Sequence, residues 1–485
     1  MSAESQLRRH AVWAVPVAIA LYLAWLKQPG QYDDAFIYLR YARNLVEGNG
    51  WAFNPGEAVN GTTGPLNTIC TALLAGVTGG RYFLAQIVLF GAGAGSAAAC
   101  VWLLLRRHGA LTATLGATAA LCTPFLYWLV GMETAPLCGL AAGAVLASHH
   151  ERYRLAGLLA GLATLMRGDA ILLCVVLAVG VTWRHRTTPR AMLRPLLGAT
   201  LVAALPITAW AIYAWLQFGS PLPNTVAAKF AQTSAKFAQT SAGLANEKTF
   251  LEWGLANLEQ FFSIRGFPAA GFLIPGTLGV GIAIVRRSPI TPLLAWALLQ
   301  LAAYAVLGLP NYHWYYVPTW LALSIGVAVL AGTLWSAGGR VMPLVVFATF
   351  LYPTAPDPRF ITSPSYLHYR SHSYHQHYFD EAAWMRDHYP QGSSLACTEI
   401  GILGFELHDW VIIDMLGLVM ADGPEAVARG ELAWWLDKRK PDYVLLHVPP
   451  WPGPELAVVR ERDFQNGYVP VHQSPDRILF RRKEK

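Results

Sequence analysis

The sequence predicts a polytopic α-helical membrane protein with a soluble α/β domain in its C-terminal part. Three observations carry this. The 485 residues are 54% hydrophobic and only 13% charged, too apolar for a soluble protein of this length. Long apolar runs recur between pairs of arginines. From about Thr354 onward the hydropathy falls, and short strand-like and helix-like patterns alternate.

A spanning helix needs roughly 20 apolar residues, fewer where flanking side chains snorkel. About eleven segments qualify: Ala11–Leu26, Tyr82–Leu105, Ala110–Val130, Thr134–Ser148, Leu155–Met166, Ala170–Trp183, Pro195–Phe218, Ala269–Val285, Thr291–Leu309, Val317–Trp335 and Val341–Tyr352. The first follows Arg8, Arg9 and His10 as a signal peptide would, but no small-x-small cleavage pattern comes after it. With the basic clusters Arg8/Arg9, Arg106/Arg107, Arg152/Arg154, Arg184/Arg186/Arg190, Arg286/Arg287 and Arg340 in the cytoplasm, all six fall on one side. The stretch Leu155–Trp183 is then a hairpin turning at Arg167-Gly168-Asp169, because both of its ends are basic. The expected location is a bacterial plasma membrane, with the N-terminus cytoplasmic and the C-terminal domain outside.

This organisation divides the chain into a membrane module, residues 1–353, and an extracytoplasmic α/β domain, residues 354–485. The module carries a first outer loop at 28–81 and a second at 219–268. In the α/β domain, Phe379–His388 and Pro424–Lys438 read as helices, and Ser394–Thr398, Trp410–Asp414 and Tyr443–His447 as strands. Tyr468–His472 and Arg477–Arg481 read as a hairpin. A repeat, AKFAQTS, occupies Ala228–Ser234 and Ala235–Ser241, two copies being too few for a solenoid. Six scattered cysteines without CxxC spacing signal neither a zinc site nor a disulfide framework. The formal charge of +7 is a topology signal, its arginines lying mostly between apolar runs, so nucleic acid is not an expected partner.

The polar stretch Gln31–Leu66 stands out. Tyr32–Val46 has the pattern of an amphipathic helix lying along the membrane surface, with Asp33 and Arg40 two turns apart on one face and Asp34, Tyr38 and Tyr41 on a neighbouring one. Asp33 and Asp34 occupy the first turn, where the helix dipole alone would favour carboxylates. A turn-rich connection follows, and Pro65–Val77 reads as a short helix opening with proline. Glu133 lies at a helix boundary at membrane depth, where an ionisable group either caps a helix or serves function. Arg167 and Asp169 share the hairpin turn and can simply neutralise each other. The run Asn311-Tyr312-His313-Trp314-Tyr315-Tyr316 fits an interfacial aromatic belt, with Tyr312 and His313 also candidates to reach a substrate. His368, His372, His375 and His377 are spaced unlike any standard metal site.

DDAFIYLRYARNLVEGNGWAFNPGEAVNGTTGPL from Asp33 is followed in order by GMETA at Gly131–Ala135, MRGDA at Met166–Ala170, PLPNTVAAK at Pro221–Lys229, then GILGF and DMLGLV. This series resembles bacterial GT-C glycosyltransferases, in particular the branch of the mycobacterial terminal arabinofuranosyltransferase. The resemblance implies transfer of a sugar, arabinofuranose or another pentose being one option, from a polyprenyl-phosphate donor to an envelope glycan or protein, by inverting displacement. Asp33 or Asp34 then matches the family's acidic pair and acts as general base, Asp34 being the first choice. Two adjacent helical residues diverge by about 100°, so only one faces the substrate. Arg40, Glu133, Arg167, Asp169, Asn224, Lys229, Tyr312, His313, Glu399 and Asp414 become candidate substrate-binding residues. Arg167 and Lys229 are suited to the donor phosphate, and Glu399 and Asp414 each end a strand. A divalent cation held by Asp34 and Glu133 stays open. Rival readings are a lipid-linked sugar transporter, against which no paired broken helices appear in two similar halves, and a non-catalytic envelope or motor-assembly factor.

Overall fold

The computed structural model describes residues 3–27, 31–232, 249–264, 266–309, 311–339, 341–354 and 376–483. Its helices are α1 (Ala3–Lys27), α2 (Asp33–Val46), α3 (Pro65–Val77), α4 (Tyr82–Leu105), α5 (Ala110–Leu121), α6 (Thr134–His149), α7 (Tyr153–Met166), α8 (Ile171–Arg184), α9 (Pro189–Phe218), α10 (Asn224–Gln232), α11 (Phe250–Ser263), α12 (Ala270–Val285), α13 (Thr291–Leu307), α14 (His313–Ser336) and α15 (Val341–Thr354). Each of the eleven apolar segments falls on one of these helices. Among the described residues four stretches, His10–Lys27, Tyr82–His108, Arg190–Phe218 and His313–Ser336, are long and apolar enough by themselves to cross a membrane. The third segment is shorter than expected. α5 ends at Leu121, and a turn with a 3-10 helix at Leu126–Leu129 carries the chain on to α6.

α14 is the centre of the bundle: buried nearly from end to end, it packs on α5, α12, α13 and α15. Its contact with α12 depends on glycine, since a Cβ on Gly279 would collide with the backbone of Gly326. Small residues let helix backbones approach where lipid supplies no hydrophobic drive. α9 lies at the periphery. Leu193, Leu197, Leu201 and Leu205 form an exposed stripe at four-residue spacing, the expected face toward lipid.

The C-terminal part contains α16 (Gln376–His388), β1 (Ser394–Cys397), α17 (Gly401–Glu406), β2 (Val411–Asp414), α18 (Gly423–Ala428), α19 (Trp434–Arg439), β3 (Tyr443–His447), α20 (Pro454–Val458), α21 (Arg462–Gly467), β4 (Tyr468–Gln473) and β5 (Arg477–Arg482). The sheet order is β2-β1-β3-β5-β4; the first three strands are parallel and β5 runs antiparallel to both neighbours. Residue parity divides the sheet. Ala396, Ile413, Val444 and Leu446 pack with Trp435 and Phe464 on one face, while Leu395, Ile412, Leu445 and Leu479 join the core shared with the membrane module. The expected single helix over Pro424–Lys438 is two short helices, α18 and α19, separated by a turn at Gly430, whose φ is +80°. The second AKFAQTS copy and His368, His372 and His375 lie outside the described residues.

α2 departs from the expected surface helix, for ten of its fourteen residues are buried. It is the joint between the two parts, with α3 on one side and α17 on the other. The buried Arg40 guanidinium donates to the Phe53 carbonyl at 2.6 Å, to Trp410 at 2.7 Å, to Asn54 Oδ1 at 3.1 Å and to the Gly404 carbonyl. Asn54 in turn pairs with both the N–H and the C=O of Ile412. A polar helix face is thus covered by a domain that supplies hydrogen-bond partners instead of water.

Candidate active site

The joint separates the two aspartates. Asp33 points into the C-terminal domain, where its carboxylate accepts from the Gly401 N–H at 2.8 Å and the Ile402 N–H at 2.7 Å, at the start of α17. Gly401 is required there because a Cβ would strike the backbone of Asp33. Burial, together with the nearby Glu399 charge, pushes the Asp33 carboxyl up to about 7, against the pull of the two N–H groups. Asp34 stays partly open and faces the other way, toward Lys229. Burial raises its pKa while the Lys229 charge pulls it back. Asp33 is a structural anchor, and Asp34 remains available.

Around Asp34 lies a buried polar centre built by several elements. Tyr38, one turn along α2, donates to Glu133 Oε2 at 3.0 Å and sits 3.2 Å from Thr63 Oγ1. Glu133 precedes α6, fully buried, with its other oxygen 3.9 Å from Arg167 Nη1 and without a hydrogen bond. Arg167 closes α7, donates through Nε to both oxygens of Asp169 at 2.9 and 3.1 Å, and through Nη1 to the Trp314 carbonyl at 3.0 Å. Its Nη2 is buried without a partner among the described residues. Asp169 also accepts from Gln300 at 2.5 Å and Tyr304 at 2.8 Å, two side chains one turn apart on α13.

Lys229 enters from α10. It donates to the Tyr315 hydroxyl at 3.2 Å, with its ammonium 4.4 Å from the Tyr312 ring centre and 5.4 Å from that of Trp314. Burial works against its charge, but Tyr315, Tyr312 and Asp34 outweigh it and raise Lys229 above the ordinary lysine range. Tyr312 stacks on Trp314 at 4.6 Å, so the aromatic run forms a wall here. His313 turns away from Lys229, its ring stacked on Phe125 at 5.2 Å.

The remaining expected residues fall into two groups. Asn224 is structural: its amide donates to the Gly417, Leu418 and Met420 carbonyls at 2.9 to 3.0 Å. Asp414 caps the same loop through the N–H groups of Leu416 and Val419, and burial pushes it up to about 6. Arg40 belongs to the joint described above. Glu399 sits at the C-terminal edge of the sheet, 3.3 Å from His447 Nε2 and 3.4 Å from Arg477 Nη2, and near enough to raise both aspartates. Burial opposes charge on His447, but hydrogen bonds to Glu399 and Glu455 lift it to about 9. Sequence reasoning named Glu399 but missed its partners His447 and Arg477, and also Tyr38, Gln300, Tyr304 and Tyr315. Gln300 and Tyr304, polar positions four apart in an apolar helix, were the signal available. His447 and Arg477 face each other across the β3–β5 pair, a register that sequence does not reveal.

A divalent cation fits this centre poorly. Glu133 is engaged by Tyr38 and Arg167, and among the described residues no three His, Cys, Asp or Glu side chains form a metal-holding group.

A family described as a domain of unknown function, DUF8728, matches residues 367–483. No curated protein matches the chain in sequence. Among solved structures, ArnT from Cupriavidus metallidurans, crystallised with undecaprenyl phosphate, superposes over 99% of this chain and 98% of its own, with a TM-score of 0.63 at 13% identity. This chain has the GT-C glycosyltransferase fold. The GT-C likeness extends to the Archaeoglobus fulgidus oligosaccharyltransferase, solved with zinc and sulfate, with a TM-score of 0.56 at 15% identity over 89% of this chain and 68% of that one. It extends also to the arabinofuranosyltransferase AftD from Mycobacteria, with a TM-score of 0.52 at 16% identity over 98% of this chain. The chain spans 40% of the length of AftD. With this fold and its apolar helices the protein is a membrane protein.

Proposed function

We propose that the protein transfers a sugar from a polyprenyl-phosphate donor to an acceptor hydroxyl on an envelope glycan or protein, with Asp34 as general base. The observation that carries this is the division of labour at the acid pair: Asp33 is consumed by two backbone N–H groups, while Asp34 stays partly open and faces Lys229. In the reaction the acceptor oxygen attacks the anomeric carbon as its proton passes to Asp34. The bond from that carbon to the phosphate oxygen breaks, and the electron pair leaves with the polyprenyl phosphate. Arg167, with its unpartnered Nη2, and Lys229 receive the charge that develops there. Glu399, close enough for its charge to act on both aspartates, has His447 and Arg477 beside it and offers polar groups to an acceptor.

An apolar groove of about 740 Å³ supports the lipid donor. Leu45, Val46, Ile69, Leu73, Val77 and Leu165 are among its lining residues, and Leu73 and Val77 are 65% and 82% exposed. Leu165 stands two residues from Arg167, so a prenyl chain in the groove leads toward the polar centre. That ArnT was crystallised with undecaprenyl phosphate supports the same donor class.

The test is transfer in proteoliposomes from polyprenyl-phosphate pentoses, arabinofuranose first, and then hexoses. Asp34→Asn is expected to lose roughly 10²- to 10⁴-fold in rate. Full activity in that variant overturns the base assignment, and wild-type protein inactive with every donor overturns the enzymatic reading.

A further inference from the structure

The start of α14 builds the polar centre, and its other end, about 36 Å away at 1.5 Å per residue, borders a second polar cavity. It measures about 240 Å³ and lies among the ends of α4, α5, α12 and α14. Its polar lining is Arg107, His108, Thr112, Arg286, Ser288, Thr333 and Ser336, without any acidic side chain among the described residues. Among the described residues neither Arg107 nor Arg286 forms an ion pair.

These cations are held in place. Arg107 Nη2 donates to the Arg287 carbonyl at 2.8 Å, and its Nε lies 3.2 Å from His108 Nε2, which is 2.9 Å from the buried Ser288 hydroxyl. Arg286 Nη1 donates to Thr333 Oγ1 at 3.2 Å. Each guanidinium carries five N–H groups, so most of them remain for a ligand. Two adjacent arginines fixed without a counter-ion repel each other, and an anion between them relieves the repulsion. Phosphate oxygens match the guanidinium fork. Ile284 and Val285, which directly precede Arg286 at the end of α12, and Trp335 in the last turn of α14 are 44%, 83% and 41% exposed, apolar surface at the same helix ends as the charge.

We propose that this cavity binds the phosphate of an anionic phospholipid headgroup, with the acyl chains lying on the Ile284, Val285 and Trp335 surface. Basic pockets between transmembrane helix ends have the chemistry for such headgroups. The site is separate from the sugar-transfer centre and does not rest on that reading.

Native mass spectrometry of the purified full-length chain tests it, with phosphatidylglycerol, phosphatidylcholine and inorganic phosphate as probes. One phosphatidylglycerol is expected to be retained with at least a tenfold preference over phosphatidylcholine, and millimolar phosphate is expected not to displace it. R107Q/R286Q loses the preference. R107K/R286K, which keeps the charge without the fork, retains a reduced one, and R152Q/R154Q, which removes equal charge away from the cavity, retains it fully. Equal retention of the two lipids overturns the proposal, as does an unchanged preference in R107Q/R286Q or a loss in R152Q/R154Q. Displacement by inorganic phosphate assigns the cavity to a soluble anion and overturns the lipid.

Discussion

Asp33 and Asp34 share a backbone and a residue type, and they differ only in what covers them. Asp33 gains two N–H donors from residues 368 and 369 positions away, in a place dry enough to hold its carboxyl at about 7. An acid whose pKa is raised by folding binds more protons in the native than in the unfolded state between its ordinary value and about 7. Its contribution to stability is therefore complete below the ordinary value and is lost as pH rises through about 7. Thermal unfolding in detergent should show wild-type stability falling from pH 5 to pH 8, with Asp33→Asn lacking that part of the slope. Equal slopes would sink the assignment. In transfer assays Asp33→Asn should lose much less activity than Asp34→Asn, because Asp33 holds the joint and not the substrate.

Among the elements, α2 is the one on which the others depend. Its amphipathic pattern was legible, but whether the polar face met water or protein was not, because both make the same demand on a single segment. Arg40 decides this in the fold: it satisfies carbonyls of Phe53, Gly404 and Trp410, and while Phe53 keeps a second donor in Asn44, replacing Arg40 takes the side-chain donor from the buried Gly404 and Trp410 carbonyls. Each such orphan costs about 1–3 kcal/mol, so Arg40→Met should destabilise the joint by about 3 kcal/mol or more. Limited proteolysis should then release the C-terminal domain faster than in wild type, and unchanged cleavage would show that the joint is held elsewhere. Helices α18 and α19 teach a related lesson. Helical propensity runs through Pro424–Lys438, yet Gly430 in the left-handed region ends the first helix early enough for α18 to pack on α10.

For the whole molecule, the clustering of arginines at one end of the bundle predicts its orientation. In a variant lacking the six native cysteines, a cysteine at the exposed Arg460 should react with a membrane-impermeant maleimide in intact cells, and one at Arg190 only after lysis. Reaction in the opposite order would invert the topology. What the sequence by itself determined was the membrane class, the apolar helices, the bounds of α3 and β3, and the hairpin turn at Arg167–Asp169. These depend on local composition, length and periodicity, which a chain carries without its folded context. The motif series also pointed to the GT-C fold that the whole-chain superposition shows. Only the tertiary structure decided which side chains meet: Tyr38 with Glu133, Gln300 and Tyr304 with Asp169, His447 with Arg477 beside Glu399. It also turned Asn224 and Asp414 from candidate ligands into loop anchors. At the acid pair sequence reached two candidates, since neighbouring helical residues diverge by about 100°; choosing between them required the distant α17 to cover one and leave the other open.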